Sequence, residues 1–186
     1  MNAKDLSISE YSSHIVFITG GTKSGKSEFA EHIAKEVKNL SYVALSENNL
    51  ADKEWQDKIN LHRKRRPNDW KLIETTDLLN TLRNEEGPLL IDSIGGFVMK
   101  SIGKEKNEWS TKMNSLISLL MKRKSKTIIV GEQVGWSLVS EYKIGNTYIE
   151  RIGELQKRIT KISTDNWLAI NGRAIKIDEI SIEIPT

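Results

Sequence analysis

The chain has 186 residues, of which 38% are hydrophobic and 28% charged, with a formal net charge of +3 and no cysteine. This composition is typical of a soluble globular protein, and the lack of cysteine excludes disulfides, thiolate metal sites and a cysteine nucleophile. So small a net charge does not by itself indicate a nucleic-acid-binding protein. No stretch reaches the roughly 20 apolar residues of a membrane span. We expect a cytoplasmic protein with a flexible polar extension at residues 1–13 and a single domain at 14–186.

Short apolar runs alternate along the chain with segments of helical periodicity. Continuous apolar runs bounded by polar residues or glycine predict buried strands, whereas apolar residues three or four apart predict helices. The predicted strands cover 14–19, 41–45, 71–74, 87–92 and 126–132. The predicted helices run from about Phe29 to Val37 and over 51–62, 108–123 and 149–162, and the polar stretch 102–108 predicts a loop. Alternating strands and helices favour βαβ units and a mostly parallel sheet.

The C-terminal region has a different pattern. The runs NWLAI (166–170) and RAIKI (173–177) flank the dipeptide Asn171-Gly172. A type I′ turn needs positive φ at both central residues, which Asn-Gly supplies, so this stretch predicts a β-hairpin. Alternating isoleucines then follow and are expected to extend the same sheet edge. They are Ile180, Ile182 and Ile184.

Residues 20–27, GGTKSGKS, fit the phosphate-binding pattern G-x-x-x-x-G-K-[ST] and lie between a predicted strand and a predicted helix. Glycines there let backbone amides converge on phosphate oxygens, and the helix N-terminus adds partial positive charge. Lys26 would bridge the β- and γ-phosphates and Ser27 would ligate Mg²⁺. A glycine-rich turn without a ligand does not require the lysine–serine pair. The residues predicted to bind a nucleoside triphosphate are Gly20, Gly21, Thr22, Lys23, Ser24, Gly25, Lys26 and Ser27.

This loop, the alternating strands and helices and the C-terminal hairpin together predict a P-loop NTPase-type three-layer α/β fold, with a mostly parallel central sheet and an antiparallel C-terminal edge hairpin. In such a fold a carboxylate at the end of a neighbouring strand completes the metal site. Asp92 closes the apolar run LLID and is the candidate for that second metal ligand beside Ser27. The alternative is that Asp92 only caps the following helix.

The segment HRKRRPNDW (62–70) places four fixed cations directly after His62. The cations suit a helix C-terminus ended by Pro67, and His62 shares a predicted helix face with Trp55 and Ile59, which favours packing. A patch for an acidic partner is a third interpretation. Beside a phosphate loop, however, arginines would stabilise charge on a transferred group, and a neutral imidazole would attack phosphorus. The residues alone leave these interpretations open.

Several segments carry a resemblance that runs in order, with nearly continuous spacing, from about residue 14 to 177. They are GGTKSGKSEFAE (20–31), YVALSE (42–47), ADKEWQDKINLHRKRRPNDWKLIET (51–75), LLIDS (89–93) and VGEQVGW (130–136). Together they resemble the bifunctional adenosylcobinamide kinase / adenosylcobinamide-phosphate guanylyltransferase family of cobalamin biosynthesis. The phosphate loop is generic, whereas the block from Asp52 through His62 to Glu74 is distinctive.

The resemblance implies a homotrimeric, Mg²⁺-dependent transferase that carries out two steps at one P-loop site. First, ATP or GTP phosphorylates the aminopropanol hydroxyl of adenosylcobinamide. GTP then transfers GMP to an enzyme histidine, and the GMP passes to the cobinamide phosphate to give adenosyl-GDP-cobinamide. By motif position His62 is the guanylylated histidine and acts with Lys26 in catalysis. The further positions that match the nucleotide lining are Ala44, Leu45, Ser46, Arg63, Lys64, Arg65, Arg66, Glu74 and Asp92.

The sequence also departs from the family pattern. Family members often carry Asn-Glu-Val-Gly where residues 132–135 read EQVG, and a threonine where Gly95-Gly96 stands. An Arg-Asp and an Asn-Gln pair are replaced by Ile149-Glu150 and Gln156-Lys157. The alternative function is a simple P-loop small-molecule kinase without nucleotidyl transfer. A nucleic-acid-binding protein is disfavoured by the low net charge, so we expect no nucleic-acid partner.

Overall fold

The computed structural model describes residues 15–45, 67, 69–136 and 140–185. The predicted N-terminal extension and the predicted helix at 51–62 lie outside these residues. The strands are β1 (Ile15–Gly20), β2 (Ser41–Ala44), β3 (Lys71–Glu74), β4 (Leu89–Asp92), β5 (Thr127–Glu132), β6 (Asp165–Ile170) and β7 (Arg173–Lys176). The helices are α1 (Lys26–Ala34), α2 (Leu78–Asn84), α3 (Gly95–Lys100), α4 (Lys106–Lys122) and α5 (Lys143–Ile162), followed by a 3-10 helix at Ile177–Glu179.

These strands form one sheet in the order β3-β2-β4-β5-β1-β6-β7. β1 is parallel to β5 and β6, β4 is parallel to β2 and β5, and β2 is parallel to β3. Within the described part of the chain, only the edge pair β6–β7 is antiparallel. The mostly parallel sheet with an antiparallel C-terminal edge is therefore confirmed, and the carboxyl ends of β1 to β6 meet at one edge.

Apolar side chains cover both faces of this sheet. All six residues of β1 are buried, and they alternate between two clusters: Ile15 and Phe17 join one, while Val16 and Ile18 join the other. Helices α2 to α5 cover the first cluster and α1 covers the second. Strands buried on both faces have no polar side, which explains the nearly continuous apolar runs of β1, β4 and β5. The edge strand β3, KLIE, is largely exposed.

The C-terminal hairpin is confirmed, but its predicted extension is wrong. Asn171 has φ of 50° and Gly172 has φ of 73°, as a type I′ turn requires. The chain then forms the 3-10 helix instead of continuing as a strand, and Asp178 accepts hydrogen bonds from the backbone and side chain of Asn166. The three alternating isoleucines beyond it lie exposed. Their exposures are 73% for Ile180, 90% for Ile182 and 78% for Ile184.

The helix predictions needed correction mainly at their ends. The loop predicted at 102–108 is wrong in its last residues, because Glu105 and Glu108 form a reciprocal capping box that starts α4 at Lys106. α1 ends at Ala34, before Val37. α5 begins at Lys143, earlier than its predicted start, and the short helices α2 and α3 were not predicted. No helix among the described residues is long and apolar enough to cross a membrane.

Candidate nucleotide site

The loop at 20–27 connects the end of β1 to the start of α1. Gly25 precedes the helix with φ of 93° and ψ of 8°, in the left-handed region, and Lys23 also has a positive φ of 57°. Such conformations turn successive backbone N–H groups into one concavity, which suits an anion. Among the described residues no side chain caps α1 at its start. The first amides of the helix are therefore presented to the mouth of the loop, as phosphate binding requires.

Lys26 occupies the first position of α1 and folds back over this loop. Its Nζ donates a hydrogen bond to the carbonyl oxygen of Gly21 at 3.2 Å. An ammonium group has three donors, so the same side chain can hold the loop and still offer hydrogen bonds to phosphate oxygens. The lysine predicted to contact the triphosphate is thus at the loop mouth.

The P-loop also packs against the β6–β7 hairpin. The sequence predicted the hairpin but not this contact. The backbone N–H of Gly172 donates to the carbonyl oxygen of Ser24 at 3.0 Å. A Cβ on Gly20 would lie 2.5 Å from the carbonyl oxygen of Ala169 and 2.5 Å from Ser24 Oγ. Glycine at the end of β1 therefore permits close packing on β6, in addition to any role toward phosphate.

The carboxylate of Asp92 contacts Ser27, the last residue of the P-loop. Ser27 Oγ donates to Asp92 Oδ1 at 3.3 Å, and Tyr42 Oη donates to Asp92 Oδ2 at 2.7 Å. Tyr42 is 3% exposed and its ring stacks on Trp70 with centroids 6.4 Å apart. Asp92 is thus held from both oxygens and faces the serine predicted to bind the same metal ion.

One expectation about Asp92 is wrong, and one alternative is excluded. β5 lies between β1 and β4, so Asp92 does not close a strand adjacent to the P-loop strand. The serine nevertheless reaches Asp92 because α1 crosses the sheet and packs against both β4 and β5. Asp92 is not a helix cap, since Ile94 precedes α3 and no side chain caps that helix among the described residues.

Further candidate residues lie at the same edge of the sheet. Ala44 is in register with Glu74 of β3 on one side and with Asp92 of β4 on the other. Leu45 follows Ala44 and is buried, whereas Glu74 is exposed. The other predicted site residues lie outside the described part of the chain. They are Ser46, His62, Arg63, Lys64, Arg65 and Arg66.

A second carboxylate, Glu132, belongs to this edge and was not predicted as a site residue. It ends β5, the strand between β1 and β4. Burial raises its pKa; the nearby Asp92 carboxylate adds to this rise, while a hydrogen bond from Ser93 and the charge of Lys26 oppose it. Glu132 therefore interacts electrostatically with both Asp92 and Lys26 at the phosphate loop. The signal was present in the sequence, because Glu132 closes the apolar run TIIVG as Asp92 closes LLI.

Comparison with known proteins shows which family the chain matches. The model of the CobU family, described as cobinamide kinase / cobinamide phosphate guanyltransferase, matches residues 16–177. The bifunctional adenosylcobalamin biosynthesis protein CobU of Escherichia coli is 24% identical over 181 residues, covering 88% of this chain and 99% of that protein. The corresponding protein CobP of Pseudomonas aeruginosa is 28% identical over 150 residues, covering 77% of this chain and 86% of its own length.

A solved structure from Pyrococcus horikoshii supports the fold alone. It superposes with a TM-score of 0.51 at 8% sequence identity, covering 93% of this chain and 92% of that one. The family model, by contrast, spans the phosphate loop, Asp92 and the C-terminal hairpin in one continuous match. The chain therefore belongs to the CobU family of cobinamide kinase / cobinamide phosphate guanyltransferases.

Proposed function

We propose that this protein phosphorylates adenosylcobinamide and then transfers GMP from GTP to the resulting phosphate through a covalent GMP–His62 intermediate. The observation that carries the proposal is the contact between Ser27 and Asp92 beside a P-loop, in a chain of this family. The contact joins the first turn of α1 to the end of β4, as a site for a metal-bound triphosphate requires. The product would be adenosyl-GDP-cobinamide.

In this proposal, the loop and the start of α1 hold the triphosphate. The backbone amides of residues 20–27 bind its oxygens, and Lys26 spans the β- and γ-phosphates. The residues present fit Mg²⁺, because Ser27 Oγ and an Asp92 oxygen lie 3.3 Å apart at the phosphate loop. Mg²⁺ takes oxygen ligands, commonly one or two from the protein, with the rest from phosphates and water. When bound, it would neutralise charge on the phosphates.

The first step transfers the γ-phosphoryl group. The aminopropanol hydroxyl of adenosylcobinamide attacks the γ-phosphorus, a new P–O bond forms, and the bond from that phosphorus to the β,γ-bridging oxygen breaks. Lys26 stabilises the charge that develops on the leaving diphosphate. The hydroxyl proton passes to water or to a nearby base.

The second step transfers GMP in two displacements. A neutral His62 nitrogen attacks the α-phosphorus of GTP and pyrophosphate leaves, with Arg63, Arg65 and Arg66 stabilising the charge in the transition state. A phosphate oxygen of the cobinamide phosphate then attacks the same phosphorus, and the P–N bond to the histidine breaks. Support for His62 and the arginines comes from the family resemblance of the block in which they stand.

The assembly and location form part of the same proposal. We infer a homotrimer from the resemblance, and multi-angle light scattering tests it: a monomer at working concentration would contradict it. We place the protein in the cytoplasm, because both proposed steps use nucleoside triphosphates. Fractionation of cells expressing the full chain checks that placement.

A pair of labelled substrates tests the function. The protein is incubated with adenosylcobinamide, Mg²⁺ and GTP labelled either at the γ- or at the α-phosphate. We expect both labels to reach cobinamide products, the γ-label first. Transfer of the γ-label without the α-label would establish the simpler kinase instead. Transfer of neither label by a protein that binds GTP, also when ATP labelled at the γ-phosphate is supplied, would overturn the proposal.

A further inference from the structure

Glu132 connects β5 to the turn between β4 and α3. Its Oε1 accepts a hydrogen bond from the hydroxyl of Ser93, and its Oε2 accepts one at 3.0 Å from the backbone N–H of Gly95. Its own backbone carbonyl accepts a hydrogen bond from Gln156 Nε2 of α5 at 2.8 Å. The side chain therefore holds two points of one turn, while a hydrogen bond from α5 fixes its backbone carbonyl.

Gly95 is the position that makes room for this carboxylate. A Cβ on Gly95 would lie 2.7 Å from each carboxylate oxygen of Glu132, closer than real Cβ atoms approach other atoms, and would also overlap the hydroxyl of Tyr148. Gly95 is buried, and it is not among the glycines with positive φ. The need for glycine here is therefore one of space, set by the Tyr148 hydroxyl, which is the nearest atom, and by the Glu132 carboxylate, and not of backbone conformation.

The turn that Glu132 holds begins directly after Asp92. Ser93 is the next residue, and the N–H of Ile94 donates to the carbonyl oxygen of Val130 in β5 at 2.9 Å. The backbone after Asp92 is thus fixed to β5 by one main-chain bond and by the two bonds to Glu132. The side chain of Asp92 is fixed separately, by Ser27 and Tyr42.

We propose that Glu132 is a positioning residue for Asp92, and that Gly95 is its steric complement. The inference rests on the proposed role of Asp92 in the metal–nucleotide site. Without the Glu132 carboxylate, the hydroxyl of Ser93 and the N–H of Gly95 lose their acceptor, and the backbone that orients Asp92 loosens. Buried donors that lose an acceptor cost free energy, which a shift of the turn relieves at the expense of the geometry at Asp92.

Calorimetry with α,β-methylene GTP, an analogue whose α–β bond resists cleavage, measures this effect without turnover. The analogue is titrated into the full chain with Mg²⁺ and again with chelator. The Kd with chelator divided by the Kd with Mg²⁺ gives a ratio that reports the contribution of the metal. Shortening the side chain in Glu132→Asn should lower that ratio about tenfold and leave the metal-free Kd nearly unchanged. The kinase assay should show the half-saturating Mg²⁺ concentration raised by a similar factor.

Two further variants make the test specific. Gln133→Asn removes one methylene from the next residue and should leave the ratio at the wild-type value. Gly95→Ala, made in a Tyr148→Phe background that removes the nearer hydroxyl, should also lower the ratio, because its Cβ meets the carboxylate. In the double variant with Glu132→Asn the loss should be smaller than the product of the two single losses, because the shorter side chain vacates part of that space.

The outcomes separate this inference from the function on which it rests. An unchanged ratio in a folded Glu132→Asn protein, or an equal loss in Gln133→Asn, overturns the positioning role. Independent losses from Gly95→Ala and Glu132→Asn overturn the steric pairing. If Glu132→Asn does not fold, Ser93→Ala removes one of the two donors, and a wild-type ratio there overturns the positioning role. A wild-type protein that binds the analogue equally with and without Mg²⁺ overturns the metal site itself, and this inference with it.

Discussion

Gly20 ends β1 at the start of the phosphate loop, and adding a single methyl group there should destabilise the protein. The new Cβ would lie 2.5 Å from the carbonyl oxygen of Ala169 and 3.2 Å from the Cβ of Ala169, on the paired strand β6. It would also lie 2.5 Å from Ser24 Oγ, a buried hydroxyl. Because the contacted atoms of Ala169 are its backbone oxygen and Cβ, on a strand paired on both sides, the neighbour cannot simply rotate away. Overpacking of this kind costs about 1–3 kcal/mol.

For a chain of this size, about 1 kcal/mol corresponds to a shift of roughly 2–4 °C in Tm, so Gly20→Ala should lower Tm by roughly 2–12 °C. Circular dichroism of the full chain measures the shift. Gly21→Ala is the matched control, because a Cβ on Gly21 would have no atom within 4 Å. A Gly20→Ala protein that melts with the wild type, or a Gly21→Ala protein that loses more, would refute the packing of the loop on β6.

Two further predictions concern the side chains around Asp92. Tyr42→Phe removes the 2.7 Å hydrogen bond to Asp92, which should lower the free energy of unfolding by about 1.5–3 kcal/mol and weaken nucleotide binding. The control Tyr142→Phe, at a residue 73% exposed, should change neither the stability nor the binding. Urea titration and calorimetry measure both, and equal effects at the two tyrosines would contradict the assignment. Burial raises the pKa of Glu132 above its ordinary 4.5, so the folded state keeps that proton to higher pH than the unfolded chain does. Stability from this group therefore falls as pH rises from about 4.5 through the folded pKa, and Glu132→Gln should lose less stability than the wild type across that window in urea titrations. Parallel losses in the two proteins would exclude a raised pKa.

The sequence predicted those parts of the fold that local pattern determines. β1, β2, β4 and β5 were recognisable because each is a short run, mostly apolar, and the hairpin because Asn171-Gly172 allows positive φ at both turn residues. The phosphate loop was recognisable because its backbone conformation requires glycine and its lysine and serine stand at fixed spacing. Asp92 was recognisable as an acid at the end of a buried run, since isolated carboxylates are costly in such positions.

Features set by contacts between distant segments could not be predicted in this way. The placement of β5 between β1 and β4 depends on how the connecting helices cross the sheet, which no local pattern specifies. The contact of Glu132 with the turn at Ser93 and Gly95 joins residues 37 to 39 positions apart. Alternation alone suggested a further strand after residue 179, but Asp178 binds Asn166 and the chain turns into a 3-10 helix.

Covalent labelling at His62 tests the central claim most directly. The full chain is incubated with Mg²⁺ and GTP labelled at the α-phosphate, without cobinamide, and the labelled peptide is mapped after proteolysis. We predict acid-labile, alkali-stable label on the peptide that contains His62, no label in His62→Asn, and transfer of the label from the protein to GDP-cobinamide when cobinamide phosphate is added to the wild type. Equal labelling of His62→Asn would move the nucleophile to His14 or His32, and a wild type that turns over GTP without acquiring label would contradict the covalent mechanism.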